Sequence, residues 1–324
     1  MTVNVQDVNE AAPVFTAGET GTSTPNEGTT AAGTFAATDT DGTATQTYSI
    51  LTAAQNAASV DHDLFSVASG GVLTFATAPN YESAGCGSGD DSNTCAVVIQ
   101  VTDGANTDTI TVTVNVQDVN EFSPEFGDGA TATATPNENQ QAVGTYAATD
   151  TDGTATQTYS ILTAAQNAAS VDHDLFSVAS GGVLTFATAP NYESAGCGSG
   201  DDSNTCAVVI QVTDGANTDT ITVTVNVQDV NDETPAFTSS GTPSINENVR
   251  NVLTLAASDT DAGDSATFAI TGGADSELFE IDGGTTLRFA AAAGANYESP
   301  GDAGTNNEYV VVVSAPVAGA NAVA

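Results

Sequence analysis

At 324 residues and 40% hydrophobic content, the chain carries enough apolar material for two or three modules with cores of their own. Lys plus Arg total 2 against 41 Asp plus Glu, a formal charge of −39 at pH 7, so phosphates cannot be neutralised, and nucleic acid and anionic membrane are excluded as partners. Carboxylates in such excess repel one another in a compact fold unless a cation lies among them or they form the solvated acidic surface of a salt-adapted protein.

In chain order, residues 2–9 (TVNVQDVN) duplicate residues 113–120 and 224–231, so residues 1–10 read as the end of a preceding module and a linker. Residues 36–120 recur without a change as 147–231, an offset of 111: one module copied. A third, diverged copy begins near Pro235. It keeps Asn246-Glu247-Asn248, Asp259-Thr260-Asp261 and Asn296-Tyr297-Glu298 but has no counterpart of the final strand. The expected modules are therefore 11–120, 122–231 and a truncated 233–324. No apolar run approaches the ~20 residues that span a bilayer. Residues 309–324 are mildly apolar but short and contain Pro316, so they are expected to end a module, with no direct membrane insertion in this segment.

Within the first copy the predicted strands are 13–15, 33–37, 46–51, 64–67, 72–75, 96–102 and 109–116, short and rich in Val, Thr, Ile, Tyr and Phe, with Gly, Asp and Asn between them. The last of these (TITVTVNV) alternates β-branched apolar with polar residues, so one face is expected to be buried. Only residues 52–59 (TAAQNAAS) tolerate a helix, for a turn or two at most. Tyr48, Phe65, Phe75 and Tyr81 are expected in the core. About seven strands per copy imply an all-β fold of tandem Greek-key seven-stranded β-sandwiches, immunoglobulin-like and joined end to end.

The four cysteines allow three pairings. Cys86 with Cys95 and Cys197 with Cys206 each bracket one Gly- and Asp-rich loop within a copy, against the alternative of free thiols. Closing such a loop is worth about 2.5–3 kcal/mol and implies an oxidising, extracellular setting. His62 and His173 are one residue in two copies, expected at the surface, and no positioned nucleophile or acid/base pair accompanies them.

The acids recur at fixed places. Copies meet at Asp7-Val8-Asn9-Glu10-x-x-Pro13-x-Phe15, Asp118-Val119-Asn120-Glu121-x-x-Pro124-x-Phe126 and Asp229-Val230-Asn231-Asp232-x-x-Pro235-x-Phe237. Within copies an acid follows the first strand (Glu27, Glu138, Glu247), a D-x-D pair follows the second (Asp39 and Asp41, Asp150 and Asp152, Asp259 and Asp261), and an acid closes the fifth (Glu82, Glu193, Glu298). V-x-D ends the sixth at Asp103 and Asp214. This ordered set, over essentially the whole chain, resembles the cadherin repeats, whose linker reads D-x-N-D-N-x-P-x-F. An isolated match would be common; the set is specific.

The resemblance implies Ca²⁺, an ion that takes six to eight oxygen ligands, gathered from the base of one module, the linker and the top of the next, three ions to a junction. The first junction would use Glu27, Glu82, Asp118, Asn120, Glu121, Asp150, Asp152 and Asp214; the second Glu138, Glu193, Asp229, Asn231, Asp232, Asp259 and Asp261. Asp7, Asn9, Glu10, Asp39, Asp41 and Asp103 would form the lower half of another. The sequence departs from the pattern in three ways. Asn80, Asn191 and Asn296 replace the first carboxylate of the usual D-x-E; Glu121 replaces a linker Asp; and Pro316 falls about where Asp214 would align, which removes a ligand. The implied function is a calcium-rigidified adhesive or structural protein of the cell surface, not an enzyme. Its near-identical tandem modules resemble large bacterial cadherin-like surface proteins. Expected partners are calcium and either a second copy, another surface protein or a glycan. The alternatives are a filament subunit assembled head to tail by strand completion, and spacer modules of a secreted enzyme.

Overall fold

The computed structural model describes residues 1–41, 45–83, 85–86, 92–153, 156–194, 196–197, 204–261 and 266–316. These fall into two compact units, one formed by residues 1–125, 148–158 and 212–219, the other by 126–147, 159–211 and 220–324.

The first copy shows how the sequence makes the sandwich. Its strands are β1 (Val14–Phe15), β2 (Thr20–Ser23), β3 (Ala31–Thr34), β4 (Ala37–Thr38), β5 (Thr47–Leu51), β6 (Phe65–Ala68), β7 (Val72–Phe75), β8 (Thr94–Thr102) and β9 (Thr107–Asn115). One sheet has the order β2-β9-β8-β5, the other β3-β7-β6, and β1 pairs with β4. In β9 the alternation is realised in full: Ile110, Val112 and Val114 are buried and the intervening threonines are not. They meet Val97, Ile99 and Val101 of β8 and, from the facing sheet, Phe65, Leu73 and Phe75, with Tyr48 and Tyr81 packed against the same core. The Phe65 and Phe75 rings lie 4.6 Å apart.

Two of the seven strands are interrupted, which the sequence did not reveal. The first switches partners: β1 joins β4, then a turn closed by Gly18 N–H donating to the Phe15 carbonyl (3.0 Å) leads to β2, parallel to β9. The tetrapeptide TGTS of β2 has no apolar alternation to announce it. Gly21 is its contact with the core, because a Cβ there would stand 2.6 Å from the Phe35 ring. The second strand, expected over 33–37, breaks at Phe35, whose N–H donates to the Gly71 carbonyl (2.8 Å) rather than to a strand. Residues 52–59 form turns and not a helix. The loop they begin extends the sheet with side chains: Ser59 Oγ accepts from Val98 N–H at 3.0 Å and Asp61 Oδ2 from Ala96 N–H at 2.7 Å. His62, expected at the surface, is half-buried in this loop, its Nδ1 3.0 Å from the Ser59 carbonyl.

The second copy repeats the pattern: Ala142–Thr145, Val183–Phe186 and Phe176–Ala179 form one antiparallel sheet, and Thr131–Ala134 runs parallel to Thr218–Asn226. In the third, Asn251–Thr254, Thr286–Phe289 and Phe279–Asp282 make the three-stranded sheet, while Val312–Ser314 pairs with Ala269–Gly272. Among the described residues no strand lies on the other side of Val312–Ser314, where β9 stands in the first copy, and an open cavity of about 910 Å³ lies beside Phe237, Leu255, Phe289 and Tyr309. Arg250 and Arg288, the chain's only basic side chains besides histidine, stand just before and within the third copy's three-stranded sheet, both bonded to Glu280 at 2.8 and 2.7 Å.

Both expected disulfides, Cys86–Cys95 and Cys197–Cys206, are formed. The β6–β7 turn supplies a direct test of the packing. Gly70 and Gly71 both have positive φ (80° and 76°), but a Cβ at Gly70 meets nothing, whereas at Gly71 it would lie 1.9 Å from the Phe35 carbonyl oxygen. Gly70→Ala carries the left-handed backbone penalty of about 1–2 kcal/mol alone; Gly71→Ala must also displace the backbone. Thermal melts should show Gly71→Ala lowering the melting temperature several degrees further than Gly70→Ala, and equal losses would contradict the close approach.

Candidate metal centres

Each centre is built around one buried glutamate used as a brace. Glu27 follows β2; its N–H donates to the Gln117 carbonyl at 3.0 Å, and the residue is 5% exposed. Oε2 accepts from Tyr81 N–H at 2.6 Å and Oε1 from Val119 N–H at 2.8 Å, tying the segment after β7 to the linker. Glu138 repeats this with Tyr192 N–H at 2.7 Å and Val230 N–H at 2.8 Å. These bonds bring carboxylates together. Oxygens of Glu27, Glu82 and Asp118 all lie within 4.8 Å of one another, as do those of Glu138, Glu193 and Asp229, and those of Glu193, Asp232 and Asp261.

The remaining expected ligands surround these groups. In the first unit Asp152 Oδ2 accepts from Phe122 N–H at 2.7 Å, Asp150 Oδ1 accepts from Asp152 N–H at 3.0 Å, and the Asn120 amide reaches the Asp214 carbonyl at 3.5 Å. Glu121 is exposed. In the second unit Asp261 Oδ2 accepts from Glu233 N–H at 3.0 Å, and Asp259 Oδ1 from Asp261 N–H at 3.2 Å; Asn231 is half-buried there. Near the N-terminus Asp41 Oδ2 accepts from the N–H groups of Glu10 and Ala11, Asp39 Oδ1 accepts from Asp41 N–H at 2.9 Å, and the Asn9 amide reaches the Asp103 carbonyl at 3.4 Å; Asp7 is exposed. Thr267 bonds to the Pro316 carbonyl at 3.1 Å, which sets Pro316 level with Thr102, paired to Thr47 in the first copy. Pro316 thus aligns one residue before Asp103 and Asp214; their counterpart, residue 317, lies outside the described residues.

Several side chains at these centres were not anticipated. Asn217 donates to the Phe122 carbonyl at 2.7 Å and Asn106 to the Ala11 carbonyl at 2.9 Å, fastening each linker to the top of the following copy. Asn139, in the left-handed region at φ 61°, donates to Asp232 at 2.6 Å. Identical GAN tripeptides after Asp103 and Asp214 were the only sequence signal for the first two.

The electrostatics divide the acids into two groups. Burial pushes Glu82 upward, and the charges of Glu27, Asp152 and Asp118 push the same way against its own N–H. Glu193 is raised by burial and by Glu138, Asp229 and Asp261. Asp261 is raised by burial and by Asp259, Asp229 and Asp232, and Glu121 by partial desolvation and by Glu27, Glu82, Asp152 and Asp118. Asp103 is lowered, chiefly by the Asn106 N–H; at Asp214 burial opposes ionisation but the N–H groups of Asn217 and Ala216 outweigh it. Both oxygens of Glu82 and of Glu193 are buried and accept no hydrogen bond from another residue.

A carboxyl raised by folding contributes stability that is complete below its ordinary value, 4.5 for glutamate, and lost as pH rises through the raised one. Asp103 and Asp214 act oppositely, losing their contribution as pH falls through their lowered values. In chelator at pH 7 the combined Glu82→Gln, Glu193→Gln variant should therefore melt about 2–5 °C higher than the parent, with the gain gone near pH 4. A lower melting temperature at pH 7 would contradict the repulsion.

No family model matches the chain, and no curated protein matches it by sequence. Solved structures do match in fold. The EC21-23 segment of human CDH23 superposes with a TM-score of 0.57 at 18% identity, covering 94% of this chain and 99% of its own. The EC22-24 segment of mouse cadherin-23 gives 0.52 at 18%, covering 86% and 88%. The extracellular domain of protocadherin GammaB4 gives 0.56 at 19%, covering 97% of this chain and 49% of its own. In fold, the chain is a tandem array of cadherin-like β-sandwich repeats.

Proposed function

We propose that the carboxylate groups around Glu82 and Glu193 hold calcium and that the chain is an extracellular adhesive or structural repeat protein of the cell surface, not a catalyst. The observation that carries this is the convergence of buried carboxylate oxygens on points that no cationic side chain of the chain occupies. Both arginines are bonded to Glu280, and both histidines contact the aspartate that follows them. An ion is the remaining source of positive charge that can sit among them. The donors are all hard oxygens, carboxylate with amide and carbonyl nearby, the set that suits Ca²⁺ and offers no thiolate or imidazole for a softer metal. Glu27, Glu82, Asp118, Asn120, Glu121, Asp150, Asp152 and Asp214 would serve one centre; Glu138, Glu193, Asp229, Asn231, Asp232, Asp259 and Asp261 another; and Asp7, Asn9, Glu10, Asp39, Asp41 and Asp103 part of a third. With residues from successive copies sharing each centre, the ion would hold those copies in one arrangement. The disulfides and the solved extracellular neighbour support the compartment.

Extracellular modules bind calcium at about 10⁻⁴–10⁻³ M, so 10 mM calcium should add on the order of 1.4 kcal/mol or more per ion and raise the melting temperature. Magnesium, smaller and reluctant to shed water, should do less at equal ionic strength. Asp118→Ala should forfeit part of the calcium gain while keeping the β circular-dichroism signal; a melting temperature indifferent to calcium would reject the reading.

A further inference from the structure

The segment that carries Glu82 is held in place by covalent and hydrogen bonds that the cation does not supply. Cys95, fully buried in β8, is bonded to Cys86, four residues beyond Glu82. The Cys86 and Ser92 backbones exchange both hydrogen bonds, at 3.0 and 3.2 Å. Asn93 follows. Its carbonyl accepts from Val116 N–H at 2.9 Å, and its side-chain amide donates to the Tyr81 carbonyl at 2.9 Å. Tyr81 N–H in turn donates to Glu27 Oε2. An unbroken path thus runs from the disulfide through Asn93 and Tyr81 to the two glutamates of the centre.

The second copy repeats the path where it is described. Cys206 bonds Cys197; Asn204 accepts from Val227 N–H at 2.9 Å and donates to the Tyr192 carbonyl at 2.9 Å; Tyr192 N–H donates to Glu138. The third copy has no cysteine. Its Asn307 still reaches the Tyr297 carbonyl, at 3.1 Å, and Asp302 closes the loop by accepting from Asn306 and Asn307. There Tyr297 is 67% exposed, and Glu247 and Glu298 are exposed. In the first two copies carboxylate convergence accompanies the disulfide.

We propose that Cys86–Cys95 with Asn93, and Cys197–Cys206 with Asn204, are positioning elements that preset the Glu82 and Glu193 carboxylates, so that cation affinity depends on the oxidation state of the two disulfides. The inference rests on the reading of these centres as calcium sites. Two mutually repelling, desolvated glutamates converge only if the backbone carrying them is fixed beforehand. A dithiol that reduces the bond delivers two electrons and two protons, leaves two thiols, and itself closes to a disulfide. The Glu82 segment then keeps only hydrogen bonds against the repulsion.

Terbium, sensitised by excitation of Tyr81 and Tyr192 beside the centres, followed by calcium displacement, measures the affinity in the full chain. Three samples are compared: the oxidised protein, the protein with both disulfides reduced, and an Asn93→Ala, Asn204→Ala variant with its disulfides intact. Loss of supporting contacts around a metal site weakens binding by about 10–100-fold, so the reduced protein should bind calcium at least about ten-fold more weakly while retaining its β circular-dichroism signal. The asparagine variant should also weaken and give less terbium emission. Should the reduced protein unfold, the asparagine variant decides. Calcium affinity unchanged in that variant, even with a lower chelated melting temperature, would show a merely structural role and overturn the proposal. An oxidised protein that binds neither terbium nor calcium would overturn the calcium reading and this inference together, whereas equal binding by all three samples would overturn the inference alone.

Discussion

The structure depends on an electrostatic debt that the chain cannot settle with its own side chains. Glutamate and aspartate oxygens are brought within 4.8 Å of one another, each group around one buried acid, and the nearest thing to a counter-charge is a set of backbone N–H groups. Where those N–H groups are aimed at a carboxylate, as on Asp214 and Asp103, the acid is held ionised. Where only the acid's own N–H reaches it, as on Glu82 and Glu193, burial and like charge push the acid toward its neutral form. The division separates acids whose charge the backbone already offsets from acids whose charge it leaves largely unopposed.

Glu27 and Glu138, like Asp103 and Asp214, accept backbone N–H groups while being counted among the expected ligands. Each uses one carboxylate oxygen to fix the segment bearing the next glutamate and the other to fix the linker bearing the next aspartate. A carboxylate oxygen has more than one lone pair, so bracing the backbone leaves room to face a cation. The same economy explains the asparagines: Asn106 and Asn217 hold linker carbonyls, and Asn93 and Asn204 hold the tyrosines that precede Glu82 and Glu193. None of these amides carries charge, so they add rigidity without adding to the repulsion.

Much of this was legible in the sequence, for physical reasons that differ by element. The β9 strand declares itself because a period of two in TITVTVNV survives on a sheet with one buried face. The disulfides were legible because each pair brackets one loop, and the expected core aromatics lie in or against the core. The half-strand TGTS was not, since its contribution to the core is the absence of a side chain at Gly21 beneath Phe35. The acids' positions were readable from their recurrence, but which of them converge was not. That depends on hydrogen bonds between residues 54 and 92 apart, such as Tyr81 to Glu27 and Val119 to Glu27. The placement of Pro316 was off by one because register came from counting along a diverged copy, whereas the Thr267 pairing sets it in the fold.

A salt-adapted acidic protein and a calcium protein differ in what relieves the repulsion: any counter-ion for the first, a specific divalent ion for the second. The most direct test is calorimetric melting of the full chain at pH 7 as a function of free calcium, with ionic strength held constant and high by a monovalent salt. The account predicts a melting temperature that keeps rising with the logarithm of free calcium and returns to its baseline in chelator. A melting temperature that responds to the monovalent salt and is flat in calcium would contradict it.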